Sequence, residues 1–378
     1  MVSNAAQLSG ARIGLLTAAA SRAGGGVFEA VVAQVDMLQA SGAVPVVISL
    51  NDADAGADRA RLGDAGVILA DIAGPRQIGY APDLIGRLHN ARLDLLHLHG
   101  IWMYPSRAGS VWARHTGKPY VISPHGMLDP WIIGRGRFKK TLARVGYERA
   151  SWATATALHA LTEAEARDIA DETGRTDALV IPNAGPAPGP APDRPRAPEV
   201  VYIGRIHPKK NLAGLVAGWR AARRPVTARL TIAGWGDPAD VAALRAMLAE
   251  ADDPSVEFVG PVFGETKRHL LDEARFVVLP SFSEGLPMAI LEAWAAGVPT
   301  IMSEACHLPD GFRHGAALRC DTAPADIARA LGAGLSLDDD VWLAMGKASQ
   351  SMASGPFSPK TITQKWCTAY AALLGHGG

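Results

Sequence analysis

The chain of 378 residues has few cysteines, no long apolar run and no net charge. Cys306, Cys320 and Cys367 lie far apart without a CxxC spacing, which argues against a disulfide framework or a cysteine zinc site. The 37 basic residues balance the 37 acidic ones, so the overall charge gives no reason to expect a nucleic-acid partner. With no 18-residue apolar run and no signal-peptide pattern in residues 1–16, we expect a cytoplasmic protein.

What the sequence does contain is an alternation of short apolar runs with amphipathic stretches of helical length. Such alternation is typical of parallel sheets covered by helices on both faces, and the length suits two domains. We therefore predict an α/β protein with two doubly wound, Rossmann-like domains. The expected strands are Arg12–Thr17, Val44–Leu50, Gly66–Ala70, Leu93–His99, Pro119–Ser123, Ala157–Leu161, Val200–Gly204, Arg229–Gly234, Val256–Gly260, Phe276–Pro280 and Pro299–Met302.

A segment dense in proline, residues 182–198, separates the two series of strands. Proline lacks a backbone donor and fixes φ, so this segment is expected to hold neither a helix nor a central strand. The predicted domains are residues 1–183 and 199–358, with 184–198 as the linker. An amphipathic helix is expected over Pro359–Leu374, and residues 359–378 are expected to pack back on the first domain. Ligands of such sheets bind beyond the carboxyl ends of the strands, here in a cleft between the domains.

Two glutamates flank a predicted strand-to-helix turn in Phe276–Thr300. Pro287 is placed as the first helical residue and Gly297 as the helix stop, so the helix start would form a phosphate site. If all intervening residues were helical, Glu284 and Glu292 would lie about 12 Å apart, roughly the reach from a sugar to a ribose across a pyrophosphate. On spacing alone, two surface glutamates on an ordinary helix fit equally well.

Two cations follow another predicted strand, in VYIGRIHPKKNL. Arg205 follows the strand and Lys210 is expected to open a helix, an arrangement that suits a diphosphate leaving group. A solvated basic turn is the alternative. Lys209 is a substitute for Lys210, and Asn211 follows them.

Glycine-rich turns follow a strand in each half of the chain. In SRAGGGV (Ser21–Val27), Gly25 and Gly26 would let a loop approach a ligand and leave N–H groups free at a helix start. A flexible loop is the alternative. In LTIAGWGD, Gly234 gives a weaker signal, because tight strand–helix turns often need glycine.

Histidines end two strands of the first half. His125 follows a strand in VISPHGMLDPW, where a structural role is the more common one. In LLHLHGIW, His97 and His99 share a face, and we expect His99 to line the cleft and His97 to be structural. No third ligand at a suitable spacing supports a metal there, and Asp52, Asp54 and the run Asp338–Asp340 read as solvated loops.

The segment Arg135–Arg149 (RGRFKKTLARVGYER) is basic and amphipathic. It carries six basic residues against Glu148, with Phe138, Leu142, Val145 and Tyr147 interleaved. Such a segment can lie on an anionic membrane surface, which would place the protein at the inner face of the cytoplasmic membrane. A helix with a solvated basic face is the alternative.

The paired glutamates with seven residues between them, in EGLPMAILEAWAAGVPTI, resemble the motif of retaining glycosyltransferases of family four, which have the GT-B fold. The resemblance implies that Glu284 holds the donor sugar and Glu292 the ribose. The GR-x-x-x-x-K pattern makes Arg205 and Lys210 the pyrophosphate clamp, although Asn211 stands where the family often has glycine. We expect Glu284 to lie in a cleft rather than a core, so that Glu284→Ala leaves folding intact.

The resemblance extends to both halves of the chain. SPHGMLDPW, with CHLPDGF at Cys306–Phe312, is similar to a subgroup in bacterial polysaccharide and lipopolysaccharide assembly. It implies that His125 faces the transferred sugar. Acceptor contacts are expected from His99, Trp102 and Asp129, although Asp129 could equally cap a turn. The donor-binding residues implied besides the glutamates and the clamp are Gly25, Gly26, Gly234, Val262, Gly285, Leu286, Pro287 and Met288.

The resemblance implies transfer of a hexose from a nucleotide-diphosphate sugar to a glycan or lipid-linked acceptor. Retention would follow from attack on the face that the diphosphate leaves, with a diphosphate oxygen taking the acceptor proton. Because Arg205 and Lys210 can replace a divalent ion, no metal or other cofactor is expected. GDP-mannose, UDP-glucose and UDP-N-acetylhexosamine stay open as donors. The rival interpretations are a nucleotide-sugar epimerase or hydrolase on the same fold and a non-catalytic nucleotide-sugar binding protein.

Overall fold

A computed structural model describes residues 8–134 and 137–375. The chain forms two compact units, one of Met1–Pro182 with Ile362–Gly378 and one of Asn183–Thr361. The proline-rich segment packs along the second unit, where the Gly185 N–H donates to Phe357 O and the Gly189 N–H to Ala295 O. Arg196 adds hydrogen bonds to the carbonyls of Leu271 and Ala274.

The first unit is built on a parallel sheet of seven strands in the order β3-β2-β1-β4-β5-β6-β7. Its strands are β1 Arg12–Thr17, β2 Val44–Leu50, β3 Gly66–Ala70, β4 Leu95–His99, β5 Tyr120–Ser123, β6 Ala157–Ala160 and β7 Leu179–Val180. Its helices are α1 Gly26–Ala40, α2 Ala55–Asp58, α3 Leu84–Asn90, α4 Tyr104–Thr116, α5 Pro130–Gly134, α6 Arg137–Ala143, α7 Arg149–Thr154 and α8 Glu163–Thr173.

The second unit has a parallel sheet of six strands in the order β10-β9-β8-β11-β12-β13. Its strands are β8 Glu199–Ile203, β9 Arg229–Ala233, β10 Val256–Gly260, β11 Phe276–Leu279, β12 Thr300–Met302 and β13 Ala317–Arg319. Its helices are α9 Leu212–Ala221, α10 Pro238–Ala251, α11 Gly264–Glu273, α12 Met288–Ala295, α13 Pro309–Arg313, α14 Pro324–Leu335 and α15 Asp339–Ser354, and α16 Pro359–Leu373 returns the chain to the first unit.

Each sheet reverses its strand order at one point, between β1 and β4 in the first unit and between β8 and β11 in the second. Doubly wound sheets bind their ligands outside the carboxyl ends of the strands that flank this point. The predicted α/β class with two Rossmann-like parallel-sheet domains is confirmed. Ligand-binding residues are therefore expected in the segments after β1 and β4 and in those after β8 and β11.

The cores follow from the apolar strands. Leu95, Leu96 and Leu98 of β4 are fully buried, as are Val277 and Val278 of β11, which is expected for strands covered on both faces. From α16, Trp366 and Tyr370 are buried in the first unit. Tyr370 there accepts a hydrogen bond of 2.6 Å from the Gln34 side chain on α1.

Candidate active site

Lys210 and Glu284 meet where the second sheet reverses its order. Lys210 follows β8 and Glu284 follows β11, and these two strands are neighbours. Lys210 Nζ lies 2.5 Å from Glu284 Oε1. The same oxygen accepts a 2.6 Å hydrogen bond from Ser281 Oγ. The sheet topology thus brings together two candidates that are 74 residues apart in sequence.

This ion pair is nearly removed from solvent, with side-chain exposures of 12% for Lys210 and 5% for Glu284. Glu284 is therefore buried in an ion pair, and Glu284→Ala is not expected to leave folding intact as the sequence suggested. A charge at such a site is costly unless it is paired, so each residue needs the other. The pair is a buried polar contact at the carboxyl edge of the sheet.

A short 3-10 helix, Pro208–Lys210, presents the lysine. Asn211 then adopts a left-handed conformation with φ of 57°, a region that glycine enters most readily and asparagine tolerates. The Asn211 side chain donates to the carbonyls of Pro280 and Thr322, which fixes the turn. Lys210 does not open a helix as predicted, because α9 begins two residues later at Leu212.

Arg205 lies two residues after the end of β8 and is far more accessible than the buried pair. Its guanidinium lies 3.5 Å from the Asp237 carboxylate, and both side chains are more than half exposed. Exposed pairs of this kind contribute about 0–1 kcal/mol. Arg205 can therefore exchange Asp237 for a phosphate ligand at little cost.

Glu292 lies on the second turn of α12 and forms an ion pair of 2.5 Å with Lys267 of α11. The helix begins at Met288, so Pro287 is the N-cap and not the first helical residue as predicted. Glu284–Pro287 is not helical, and the 12 Å separation that assumed a continuous helix does not apply. Gly297, with φ of 66°, ends the helix as predicted.

The segment between the glutamates is only partly accessible. Leu286 and Pro287 are buried, whereas Gly285 and Met288 are half-buried. At the start of α12 there is no row of exposed side chains. The backbone N–H groups are what this segment can offer to an anionic ligand.

Gly234 has a packing reason that the sequence does not reveal. A Cβ atom there would lie 1.9 Å from Gly204 O, so the turns after β8 and β9 approach too closely for any side chain. The Gly234 N–H donates to Gly260 O. The neighbouring Trp235 is half exposed and its ring centroid lies 5.7 Å from that of Phe263, next to the half-buried Val262. These residues flank the carboxyl ends of β9 and β10.

The glycine-rich loop of the first unit is held in place by carboxylates. Gly25, with φ of 54°, is the N-cap of α1, and Gly26 is its first residue; a Cβ at either would meet open space. Before them, Arg22 donates to the buried Asp58, while Ser21 Oγ donates to Asp52 at 2.7 Å. Asp52 is thus a structural support of this loop and not the solvated residue that was expected.

His125 follows β5 in a left-handed conformation with φ of 55°. Its Nε2 lies 3.0 Å from Nδ1 of the buried His99. The next N–H, of Gly126, donates at 2.5 Å to the buried Glu165, which also accepts from the Leu161 N–H. Burial lowers the pKa of both histidines, and each also lies near other imidazoles that disfavour its charged form. Both are therefore neutral at pH 7.

His97 belongs to a buried hydrogen-bond chain across the first unit, consistent with its expected structural role. His159 Nε2 lies 2.7 Å from the Ile181 carbonyl, which can only accept, so His159 Nδ1 accepts from Ser123 Oγ. Ser123 Oγ then accepts from His97 Nε2, and His97 Nδ1 accepts from the Tyr370 hydroxyl. One carbonyl thereby fixes the tautomers of both imidazoles. His159 and Ser123 were not singled out in the sequence.

Trp102, one of the expected acceptor residues, has φ of 74°, which is unusual for a bulky residue. Its N–H donates at 2.5 Å to the buried Glu148, and its carbonyl accepts from the Tyr147 hydroxyl. Burial raises the pKa of Glu148 to about 7. Asp129 accepts from the Trp131 N–H at the start of α5, so it caps that turn.

From Arg137 onward the basic segment is a continuous helical run that comprises α6, a π-helical stretch Arg144–Glu148 and the first residue of α7. Arg135 and Gly136 lie outside the described residues. Leu142 and Val145 are 69% and 67% exposed. Arg144 pairs with Glu172 of α8. The two exposed apolar side chains therefore lie beside cations rather than in a core.

Neither of the described ranges, 8–134 and 137–375, holds a group of three or more His, Cys, Asp or Glu side chains that could bind a metal ion. None of their helices is long and apolar enough to cross a membrane.

Comparison with known proteins adds independent findings. Residues 25–184 match the glycosyl transferase 4-like domain, and residues 197–336 match glycosyl transferases group 1. The chain is 29% identical over 177 residues to O-antigen chain mannosyltransferase B of Escherichia coli, covering 46% of this chain and 45% of that protein. It is 28% identical over 258 residues to GDP-mannose:cellobiosyl-diphosphopolyprenol alpha-mannosyltransferase of Xanthomonas oryzae pv. oryzae, covering 61% and 62%. The matches thus span less than two thirds of these relatives.

Solved structures share the fold at low sequence identity. Anabaena Alr3699/HepE in complex with UDP and glucose superposes with a TM-score of 0.77 at 17% identity, covering 96% of this chain and all of that one. Sucrose-phosphate synthase of Thermosynechococcus elongatus gives 0.75 at 20% identity, covering 97% and 100%. These likenesses confirm the predicted GT-B fold. The two family matches fall one on each unit, and the chain belongs to the group 1 glycosyltransferases with a glycosyl transferase 4-like first domain.

Proposed function

We propose that this protein is a retaining, metal-independent hexosyltransferase that uses a nucleotide-diphosphate sugar. The acceptor would be a glycan or lipid-linked sugar in bacterial exopolysaccharide or lipopolysaccharide synthesis. The observation that carries the proposal is the buried Lys210–Glu284 pair at the order reversal of the second sheet, with the accessible Arg205 in the segment after the same strand, β8.

Each residue has a role that its surroundings support. Arg205 and Lys210 stabilise the negative charge that grows on the diphosphate as its bond to the anomeric carbon breaks. Glu284 holds Lys210 and offers its second oxygen to a sugar hydroxyl. Glu292 binds the ribose by exchanging its contact with Lys267.

In the transfer step the acceptor hydroxyl forms the new bond to the anomeric carbon as the old carbon–oxygen bond breaks. The electron pair of that bond goes to the diphosphate, and the acceptor proton goes to a diphosphate oxygen on the same face. Attack on the face that the leaving group vacates retains the anomeric configuration. His125, which is neutral and contacts His99 while Glu165 anchors the next N–H, offers a hydrogen bond to the transferred sugar.

The donor can be GDP-mannose, UDP-glucose or a UDP-N-acetylhexosamine. The Xanthomonas relative is named for GDP-mannose and for a cellobiosyl-diphosphopolyprenol acceptor. The Anabaena structure holds UDP and glucose. Both names support a nucleotide-sugar donor, and the first supports a lipid-linked acceptor.

With a lipid-linked acceptor, membrane contact would account for the exposure of Leu142 and Val145. With the exposed Lys139 and Arg149 on the same segment, they suit peripheral contact with an anionic membrane surface. Leu142→Ser/Val145→Ser should then weaken cosedimentation with anionic vesicles but not with neutral ones.

The proposed activity is tested by nucleotide release. The protein is incubated with each donor, with and without an undecaprenyl-diphosphate-glycan extract, in EDTA. Release that requires the extract, and falls at least a hundredfold in Lys210→Met but not in Glu250→Gln on the exposed face of α10, supports the proposal. Turnover without the extract would favour the epimerase or hydrolase, and nucleotide binding without turnover would favour the binding protein. A requirement for manganese would overturn the metal-free mechanism.

A further inference from the structure

Lys267 and Glu292 form an ion pair near the carboxyl edge of the second sheet. Lys267 lies in the first turns of α11, which follows β10, and Glu292 lies on α12, which follows β11. Lys267 Nζ lies 2.5 Å from Glu292 Oε1. Because both helices begin at the carboxyl ends of strands, the pair lies at the edge where doubly wound sheets bind their ligands.

This pair is partly open to solvent. Its side chains are 27% and 22% exposed, against 12% and 5% in the buried pair at the order reversal. The neighbouring basic residues Arg268 and His269 contact carboxylates of their own helix, whereas Lys267 contacts a carboxylate on α12. Opening a partly exposed ion pair costs little. A ligand that reaches this edge can therefore enter between the two charges.

The chemistry of the two charges favours a hydroxyl group as that ligand. An ammonium group only donates hydrogen bonds and an ionised carboxylate only accepts them, whereas a hydroxyl does both. A hydroxyl between Lys267 Nζ and Glu292 Oε1 accepts from the first and donates to the second, so both charges keep a partner. A phosphate would face the carboxylate, and an amine would face the ammonium group. The pair therefore selects a neutral hydroxyl-bearing group over a charged one.

We propose that Lys267 is a specificity residue of the nucleotide-sugar site and selects a ribonucleotide over a deoxyribonucleotide. One ribose hydroxyl donates to Glu292 and accepts from Lys267. The inference rests on the proposed function, from which it takes the ribose at Glu292, and it adds Lys267 as the donor to the same hydroxyl. Without that hydroxyl the two side chains return to their direct contact. A deoxyribonucleotide then loses two charge-assisted hydrogen bonds and leaves neither charge unpaired.

The test is calorimetric titration of the full chain in EDTA with UDP, GDP and ADP and with the 2′-deoxy and 3′-deoxy forms of each. The wild type should bind one ribonucleotide at least tenfold more tightly than at least one of its deoxy forms, because hydrogen bonds to charged groups are lost. Lys267→Met removes the charge and keeps a long side chain. It should weaken the ribonucleotide at least fivefold and change the affinity of the discriminated deoxy form less than twofold.

Arg268→Met is the matched control, because it removes the neighbouring cation of α11 and leaves the pair intact. It should bind every form like the wild type. If Lys267 were merely structural, Lys267→Met would weaken the ribonucleotide and the deoxy form equally. If Lys267 only competed with the ribose for Glu292, Lys267→Met would bind the ribonucleotide more tightly.

Either of these results, or an unchanged preference in Lys267→Met, would overturn the inference. A wild type that does not distinguish the ribonucleotide from its deoxy forms would overturn it as well. In all of these cases the nucleotide still binds, so the proposed function stands. If the wild type binds none of the three ribonucleotides, the proposed function fails and the inference fails with it.

Discussion

Lys210 Nζ and Glu284 Oε1 lie 2.5 Å apart, and neither side chain is more than 12% exposed. The two residues come from loops after adjacent strands, so their contact joins the segments on either side of the order reversal in the second sheet. Replacing either residue by an uncharged one leaves the other buried charge unpaired. Such a variant should therefore lose stability as well as activity.

Glu284→Ala should lower the free energy of unfolding by about 3–5 kcal/mol, the usual cost of leaving one charge of a buried pair uncompensated. Glu284→Gln should cost less, because the amide oxygen still accepts from Lys210 and Ser281. Urea unfolding of the two variants measures the difference. Glu250→Ala, at an exposed position, is the control. A Glu284→Ala protein as stable as the control would show that the pair is not buried.

Arg205→Ala, unlike Glu284→Ala, should leave the stability nearly unchanged and weaken nucleotide binding. Since the Arg205 side chain pairs with the exposed Asp237 carboxylate, its loss should change the free energy of unfolding by less than about 0.5 kcal/mol. Nucleotide diphosphate affinity should fall about tenfold, equal to about 1.4 kcal/mol. Asp237→Asn tests the exchange and should leave affinity unchanged or raise it. Equal affinity of Arg205→Ala and wild type would remove Arg205 from the clamp.

The buried histidine chain should make the first unit sensitive to acid. Burial lowers the pKa of His159 to about 4, below its ordinary value of 6.5. Below pH 6.5 the unfolded chain therefore binds more protons than the folded one. Stability is complete above pH 6.5 and is lost as pH falls from 6.5 to about 4, by about 3 kcal/mol for this residue.

The check is the free energy of unfolding of His159→Gln between pH 7 and pH 4. This variant should start lower at pH 7 and show a shallower slope than the wild type. His89 lies outside the buried hydrogen-bond chain, so His89→Gln should keep the wild-type slope. Parallel slopes for His159→Gln and wild type would mean that His159 is not buried in its neutral form.

Gly234→Ala should destabilise the second unit by more than about 3 kcal/mol, because the new Cβ would lie 1.9 Å from Gly204 O. Gly26→Ala is the matched control, since a Cβ there meets open space at the first residue of α1. Thermal melting should separate the two variants clearly. Similar melting temperatures would contradict the close approach of the two turns.

Most of the fold could be predicted because parallel strands carry continuous apolar runs. The strands β1, β2, β3 and β10 have the predicted bounds, β8 differs by one residue at each end, and the other expected strands differ by one or two residues at one end. The two missed strands, β7 and β13, are two and three residues long and lie at sheet edges. A run that short gives no periodic signal. The residue pattern of the basic segment does not reveal the π-helical turn at Arg144–Glu148.

The site was predicted less completely, because its supports come from distant parts of the chain. Motifs identified Lys210 and Glu284 but not their contact or its burial, which depend on the order of β8 and β11. Lys267, which pairs with Glu292, follows no motif and is one of several charges on α11.

The most direct test of the central claim, a metal-free nucleotide-sugar site in the second unit, is calorimetric titration of the protein with UDP, GDP and ADP in EDTA. We predict binding of one nucleotide at one site per chain, weakened at least tenfold in Arg205→Ala and in Glu292→Gln but not in Glu250→Gln. Binding to none of the three, binding only after a divalent metal is added, or equal affinity in both variants and the wild type would contradict it.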